Sequence, residues 1–192
     1  IIIMDMADLG SVRRAASEFL AREKTLDVLL NNAGTINTSR RTTVDGFEET
    51  LAVNHFAPFL LTGLLLPVLQ QTPGARIVNV ASDAHAFVKG MGFDDMQATK
   101  NYKTFREYGR SKLANILFTR RLAKLLKPLP PPLRKTLTID NGTEFALHYR
   151  LTEQLALQTF FCDPHSPWQK GGVENAIGRL RRCLPRKTNL AA

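Results

Sequence analysis

The chain has 192 residues and a net charge of +9, and its hydrophobic content of 44% supports a folded core and excludes a globally disordered protein. Its two cysteines are too few for a disulfide framework, so we expect a cytoplasmic protein in a reducing compartment. The longest apolar run, residues 56–69, is short and contains two prolines, which argues against a membrane span, and we expect no membrane partner.

Strand and helix patterns alternate through the first 127 residues. Residues 1–4 are all apolar and predict a buried strand, and the apolar spacing of residues 8–22 predicts a helix. The later predicted elements are strands at 27–32 and 75–82 and helices at 44–69 and 108–126. Alternation of this kind predicts a parallel sheet with helices on both faces.

A proline-rich segment interrupts the alternation at residues 128–132, where four of the five residues are proline. Such a segment forms neither a helix nor a central strand. Two interpretations stay open, namely a surface loop and a joint between two fused segments. Beyond it, the patterns predict strands at 136–140 and 157–162 and helices near 144–155 and 173–184.

The part of the chain after the prolines is also the more basic part. Residues 128–192 carry nine Lys or Arg against five Asp or Glu, a net charge of +4. This density of positive charge favours a polyanionic partner. On charge alone, a solvated basic surface is an equally good interpretation.

Tyr108 and Lys112 are separated by one helical turn, so they lie on one face of the predicted helix. An ammonium held beside a phenol favours the phenolate form. A tyrosine in that setting can exchange a proton with a carbonyl oxygen while a hydride is transferred. The pair alone is a weak signal and needs other motifs beside it.

Four further motifs accompany that pair in residues 1–127. In chain order, the five are Asp5-Met6-Ala7-Asp8-Leu9, Asn31-Asn32-Ala33-Gly34, Val53-Asn54-His55, Asn79-Val80-Ala81-Ser82 and Tyr108-Gly109-Arg110-Ser111-Lys112. Together they resemble the short-chain dehydrogenase/reductase family, and most of all its retinol-dehydrogenase-like branch. The resemblance implies a Rossmann-like parallel sheet, NAD or NADP as cofactor, and a small-molecule alcohol or carbonyl substrate.

The same resemblance implies a role for individual residues. It assigns cofactor contacts to Asp5, Met6, Asn31, Ala33, Gly34, Tyr108 and Lys112. It assigns catalysis to Asn54, Ser82, Tyr108 and Lys112. Tyr108 would be the general acid or base, and Lys112 would support it and reach the ribose. Ser82 would hydrogen-bond the substrate oxygen, and Asn54 would hold a water that relays the proton.

The sequence also departs from that family. The family's opening strand and its glycine-rich turn are not found here, nor is the residue that chooses between NAD and NADP. Because that turn binds the pyrophosphate at a helix N-terminus, we expect cofactor binding to be weak or lost.

A second resemblance covers residues 129–190. Its motifs are a strand ending in Asp140-Asn141-Gly142, the segment at 161–172, and Val173-Glu174-Asn175. They resemble the C-terminal half of a DDE insertion-sequence transposase, whose catalytic core has a ribonuclease H-like fold. Asp140 and Glu174, with 33 residues between them, are implied as Mg²⁺ ligands.

That second site is incomplete by the same comparison, because the family's first catalytic aspartate has no counterpart here. We therefore expect Mg²⁺ binding to be weak or lost and transposition to fail. The basic residues of this segment predict non-specific DNA binding through phosphate contacts.

The sequence thus predicts a chimeric α/β chain, a truncated Rossmann-like parallel sheet fused to a partial ribonuclease H-like segment. The predicted parts are a dehydrogenase domain at 1–127, a proline-rich joint at 128–135 and a partial transposase core at 136–192. Three function classes stay open: an impaired NAD(P)-dependent oxidoreductase, a transposase remnant acting on DNA, and a fusion product without catalytic function.

Overall fold

The computed structural model describes residues 1–126, 136–139 and 158–161. In this part of the chain the elements are α1 (Leu9–Arg22), β1 (Val28–Asn31), α2 (Glu49–Leu51), a π turn (Ala52–Phe56), α3 (Ala57–Gln71), β2 (Arg76–Asn79), two 3-10 helices (Asp83–Phe87 and Phe93–Asp95), α4 (Thr104–Leu126), β3 (Thr136–Ile139) and β4 (Gln158–Phe161). The strands and helices predicted between residues 8 and 126 are present, with ends that differ by a few residues.

Parallel pairing of the strands is confirmed. β1 pairs with β2 in a register that runs from Val28 opposite Arg76 to Asn31 opposite Asn79. β3 pairs with β4, also in parallel, and both strands lie where the sequence predicts them. Because parallel strands end at the same edge, the polar residues that follow β1 and β2 are brought together.

The predicted strand at residues 1–4 is wrong. Ile1 and Ile3 are 104% and 78% exposed, and residues 1–4 form no ladder with any strand of the described residues. An apolar run becomes a strand only when a neighbouring strand supplies its backbone hydrogen-bond partners. Here the ladder of β1 is formed with β2.

The long helical region begins at Glu49 rather than at residue 44 because of local turn chemistry. Gly46 adopts φ +84°, a left-handed conformation that ends any regular helix on its N-terminal side. Glu48 then caps the helix, because its buried carboxylate accepts the backbone N–H groups of Thr50 and Leu51 at 2.9 and 2.7 Å. Two of the orphan donors of the first turn are thereby satisfied, and a third, the N–H of Glu49, donates to the Arg41 carbonyl at 3.0 Å.

The principal core lies where α1 and α3 pack on β1. Apolar residues recur at helical spacing along α1, so that Val12 and Ala16 are fully buried. Leu65, Val68 and Leu69 of α3 join Ala16 and Leu29 in one apolar cluster. Burying each such leucine contributes about 1.5–3 kcal/mol, which makes this cluster the main anchor of α3.

A second apolar cluster fixes α4 against the helix that begins at Glu49. It consists of Leu51, Met91 and Ala114, with Phe56 and Leu113 packed around it. The stretch Glu49–Gln71 is the one helix of the described residues that could cross a membrane on length and composition alone. Its buried residues contribute to both clusters of the core.

We expect Leu65→Ala to lower the free energy of unfolding by about 2–5 kcal/mol, because it leaves a cavity among α1, α3 and β1. The matched control is Leu20→Ala on α1, where the side chain is 36% exposed and about 0.5 kcal/mol is expected. Urea denaturation followed by circular dichroism measures both. Equal losses in the two variants would show that the core does not lie at this contact.

Candidate active site

The buried amide of Asn54 makes three hydrogen bonds within the candidate site. It lies on the π turn and is 1% exposed. Its Oδ1 accepts the backbone N–H of Thr35 at 2.7 Å, and its Nδ2 donates to the Thr35 carbonyl at 2.9 Å. Nδ2 also donates to Ser111 Oγ of α4 at 3.0 Å. This one amide therefore ties the loop after β1 to α4.

Gly34 lies directly against that amide and close to Lys112. A Cβ atom at Gly34 would be 3.2 Å from Asn54 Oδ1 and 3.7 Å from Lys112 Nζ. Gly34 and the preceding Ala33 are both exposed. The structure therefore brings together three residues of the sequence prediction, namely Gly34, Asn54 and Lys112, at an open backbone edge.

Tyr108 and Lys112 lie on one face of α4, as their spacing predicts. Lys112 Nζ is 5.3 Å from the centroid of the Tyr108 ring, within the range of a cation–π contact. Lys112 is 4% exposed, and its Nζ is 3.5 Å from the Val80 carbonyl beyond β2. The ammonium is thus held between the strand end and the phenol.

Ser82 begins the 3-10 helix Asp83–Phe87, where its Oγ accepts the N–H of Ala84 at 3.3 Å. That helix packs against α4 at Gly109. A Cβ atom at Gly109 would come within 2.4 Å of the Ala84 carbonyl oxygen, far inside van der Waals contact. The absence of a side chain at Gly109 therefore lets the Ser82 segment reach the helix that carries Tyr108.

The two strand ends are joined by a network of asparagine side chains. Asn31 Nδ2 donates to Asn79 Oδ1 at 2.7 Å and to Thr62 Oγ1 at 3.0 Å. Asn79 Nδ2 in turn donates to Thr119 Oγ1 of α4 at 3.0 Å. The side chain of Asn31 is therefore used inside the fold, and its predicted contact with a cofactor stays a prediction.

Two predicted cofactor residues lie in a separate turn. Asp5 precedes α1, and its carboxylate accepts the N–H of Ala7 at 2.8 Å while its own N–H donates to Ser11 Oγ. Met6 is half-buried beside it. The hydrogen bonds of Asp5 stay within this turn and the start of α1, and the assignment of Asp5 and Met6 to the cofactor stays a prediction.

The predicted metal ligands, Asp140 and Glu174, lie outside the described residues. Within residues 1–126, 136–139 and 158–161, no group of three His, Cys, Asp or Glu side chains could hold a metal ion. The Mg²⁺ site and the transposase assignment therefore rest on sequence motifs alone.

The residues between Tyr108 and Lys112 matter more than the sequence prediction assumed. Ser111 is fully buried, and its Oγ donates to the Tyr108 carbonyl at 2.7 Å while it accepts from Asn54. Two small residues within one turn, Gly109 and Ser111, are the signal that could have indicated a close approach on this face.

Arg110 fixes the loop that follows the Ser82 segment. Its guanidinium donates to the carbonyls of Met91, Gly92 and Asp95 at 2.6–2.9 Å and to the buried Glu107 carboxylate at 2.8 Å. Charge-assisted bonds of this kind are stronger than neutral ones. Arg110 thus couples the loop to the same helix that carries Tyr108 and Lys112.

Comparison with known proteins gives one family. A family model described as short chain dehydrogenase matches residues 1–129. Mouse (Mus musculus) retinol dehydrogenase 12 is 48% identical over 124 residues, which cover 65% of this chain and 39% of that protein. Human (Homo sapiens) retinol dehydrogenase 11 is 37% identical over 201 residues, which cover 90% of this chain and 63% of that protein.

Solved structures agree with this result. A protein from Mycobacterium paratuberculosis is 35% identical with a TM-score of 0.60, over 80% of this chain and 55% of its own. An NADPH-bound carbonyl reductase from chicken fatty liver is 23% identical with a TM-score of 0.51, over 72% of this chain and 54% of its own, and shows likeness of fold alone. The chain thus spans only part of the two retinol dehydrogenases, 39% of the mouse protein and 63% of the human protein.

We expect Gly109→Ala to lower stability by about 1–3 kcal/mol, because the new methyl group would overlap the Ala84 carbonyl and force the Ser82 segment away from α4. Helix propensity alone would favour alanine by about 1 kcal/mol. The control is therefore Gly63→Ala on α3, where a Cβ atom would meet nothing within 4 Å and a gain of about 0.5–1 kcal/mol is expected. Thermal denaturation of the two variants should give shifts of opposite sign; a gain in both would refute the close contact.

Proposed function

We propose a function for this chain from one premise: it belongs to the short-chain dehydrogenase family. It is an NAD(P)-dependent oxidoreductase of the retinol dehydrogenase type, and it interconverts a small-molecule alcohol and the corresponding carbonyl compound. This proposal rests on one observation. Gly34, Asn54 and Lys112 lie close together, and Tyr108 lies on the same face of α4 as Lys112. The retinol dehydrogenases among its relatives support the substrate class.

The residues at the open edge fit a nicotinamide cofactor. Ala33 and Gly34 expose their backbone, and a side chain at Gly34 would occupy the space beside Asn54. The Lys112 ammonium next to it is a hydrogen-bond donor suited to ribose hydroxyl oxygens. Gly34 and Lys112 would therefore hold the cofactor, which supplies or accepts the hydride when it is bound.

Tyr108 acts on the substrate oxygen in this proposal. In the direction of reduction, its hydroxyl donates a proton to the carbonyl oxygen as hydride reaches the carbonyl carbon. In the direction of oxidation, the phenolate takes the alcohol proton. Lys112 Nζ lies 5.3 Å from the centroid of the Tyr108 ring, so a positive charge is held beside the residue that exchanges the proton.

Ser82 is suited to hold the substrate oxygen. In the structure its Oγ accepts a backbone N–H from Ala84, and its own hydroxyl hydrogen donates to none of the described residues. That hydrogen can therefore be donated to a substrate oxygen on which negative charge develops. Asn54 keeps the loop that contains Gly34 at a fixed position relative to α4.

We expect Tyr108→Phe to reduce kcat for retinal reduction by about 10²–10⁴, the usual contribution of a general acid, with the dissociation constant of NADPH unchanged. The matched control is Tyr102→Phe. Burial raises the pKa of Tyr102, and its hydroxyl donates to the Asn37 carbonyl away from Lys112. Turnover of the control should match that of the unaltered chain.

Two measurements on the purified chain separate the outcomes. NADPH fluorescence titration reports the binding step, and a dissociation constant in the micromolar range would contradict the sequence-based expectation of weak binding. Absorbance at the NADPH band in the presence of retinal reports turnover. Full turnover by Tyr108→Phe would overturn the assignment of Tyr108.

We also propose that residues 136–192 derive from a transposase core. Parallel strands β3 and β4 lie where that resemblance predicts strands, and Asp140 follows β3 directly in the sequence. The net charge of +4 in residues 128–192 supports contact with phosphates.

DNA binding tests this second proposal. We expect weak binding without cleavage. The slope of log affinity against log salt is negative, and its magnitude should decrease by about 0.9 for each phosphate contact that is removed. Replacing Arg179, Arg181 and Arg182 by Gln therefore flattens the slope, while Arg13→Gln on α1 leaves it unchanged. Absence of binding at low salt would refute a nucleic-acid function and leave this segment a relic, whereas a Mg²⁺-dependent nick that is lost in Glu174→Gln would show an active site.

A further inference from the structure

The π turn that carries Asn54 has its cause in the sequence. Pro58 lies four residues after Asn54, so the carbonyl of Asn54 faces a residue that has no N–H. A proline ring also clashes with the carbonyl of the residue four positions earlier. The helix widens at this point, and the N–H of Ala57 donates to the carbonyl of Ala52, five residues back. The Asn54 carbonyl is left without its ordinary helical donor.

Asn115 of α4 supplies a donor to that carbonyl. Its Nδ2 donates to the Asn54 carbonyl oxygen at 3.0 Å, and the residue is 6% exposed. An unpaired buried carbonyl costs about 1–3 kcal/mol, so this bond offsets the loss that Pro58 imposes. The donor comes from a different helix, which makes the π turn depend on the position of α4.

His55 fixes the orientation of that amide. Its Nδ1 is 3.0 Å from Asn115 Oδ1. Because Nδ2 of Asn115 donates to Asn54, Oδ1 is the acceptor, and the proton of neutral His55 therefore lies on Nδ1. The ring is packed among Phe56, Phe59 and Phe118, at centroid distances of 5.7–6.1 Å.

We propose that Asn115 is a positioning residue for Asn54: its amide replaces the N–H that Pro58 lacks, and His55 holds that amide in the orientation required. The proposal rests on the proposed function in so far as Asn54 belongs to the active site. The hydrogen bonds themselves can be tested without turnover.

The effect of Asn115 reaches the candidate site through a continuous chain of bonds. Asn115 holds the Asn54 backbone, the Asn54 amide holds Thr35 and Ser111, and Ser111 binds the Tyr108 carbonyl. Ser111 and Asn115 are four residues apart on α4 and so lie on one face with Tyr108. A shift of the Asn54 turn therefore moves the loop after β1 relative to α4.

His55 provides a spectroscopic signal for the bond. Burial holds the pKa of His55 below its ordinary value of 6.5, and the hydrogen bond to Asn115 opposes that shift. Among the described residues, the side chains that contact the His55 ring are Phe56, Phe59, Phe118 and Asn115, and all four are uncharged. The stability that neutral His55 contributes is therefore complete above about pH 6.5 and is lost as the pH falls from there to the folded pKa.

The decisive measurement is amide hydrogen exchange at Thr35, whose N–H donates to Asn54 Oδ1. We expect Asn115→Leu to accelerate this exchange at least 10-fold and to lower the pKa of His55 further, because the acceptor at Oδ1 is lost. Asn115→Asp keeps that acceptor but loses the donor to Asn54. It should accelerate Thr35 exchange in the same way and raise the pKa of His55.

A buried hydroxyl elsewhere provides the control. Thr72 is 3% exposed and bonds to Val68 and Leu26, outside the Asn54 network. Thr72→Val should lower global stability and leave local exchange at Thr35 unchanged. A faster exchange in this control, equal to that of Asn115→Leu, would mean a general loss of stability and would overturn the proposal.

The unaltered chain gives a test that does not depend on any variant folding. A long-range ¹⁵N–¹H spectrum should show His55 protonated at Nδ1 and unprotonated at Nε2. The opposite tautomer would disprove the hydrogen bond from His55 Nδ1 to Asn115 Oδ1. If the chain turns over retinal, Asn115→Asp should lower kcat more than it raises KM. If the unaltered chain shows no turnover, the proposed oxidoreductase function fails, whereas the exchange and tautomer results still decide the role of Asn115.

Discussion

The candidate site depends on one buried amide, that of Asn54. Its oxygen and nitrogen hold both backbone groups of Thr35, and its nitrogen also reaches Ser111. Each of these bonds contributes only about 1 kcal/mol to stability, but leaving any of them unmade inside the fold would cost more than that. The amide is therefore a three-way connection between the loop after β1, the helix that begins at Glu49, and α4. It therefore helps to set the separation between Gly34 and Lys112.

Small residues let the elements come close enough for such bonds to form. Gly34 leaves room beside Asn54 and Lys112, and Gly109 leaves room for the backbone of Ala84. These contacts involve backbone atoms, which cannot rotate away as the end of a flexible side chain can. Arg110 adds hydrogen bonds between distant residues, because its guanidinium donates to three carbonyls of the loop at residues 91–95. Close packing and charge-assisted bonds thus act on the same turn of α4, the turn that also carries Tyr108.

The family assignment and the geometry point to the same edge of the sheet as the candidate site. In open parallel sheets, ligands bind outside the carboxyl ends of the strands. Here β1 and β2 both end in asparagine, and the two amides are bonded to each other and to α4. The residues that follow these strands, Gly34 and Ser82, are held against α4 from two directions. The relationship to human retinol dehydrogenase 11 covers 90% of the chain and so includes part of residues 128–192, for which the sequence also resembles a transposase.

The sequence by itself determined the order of the elements, the parallel pairing and the face of α4 that carries Tyr108 and Lys112. These follow from local periodicity and from motifs, which need no knowledge of distant residues.

The sequence misjudged residues 1–4, because an apolar run is also consistent with a segment outside any sheet, and only the strand partners available in the fold decide between the two. Its assignment of Asn31 to the cofactor stays a prediction; the structure adds that the Asn31 amide bonds to Asn79 and Thr62, which the sequence did not indicate. Only the tertiary structure decided that Gly109 and Asn115 matter, since one meets a backbone 25 residues away and the other completes a helix 61 residues away. Contacts of that kind depend on how whole elements approach each other, which no local pattern of residues specifies.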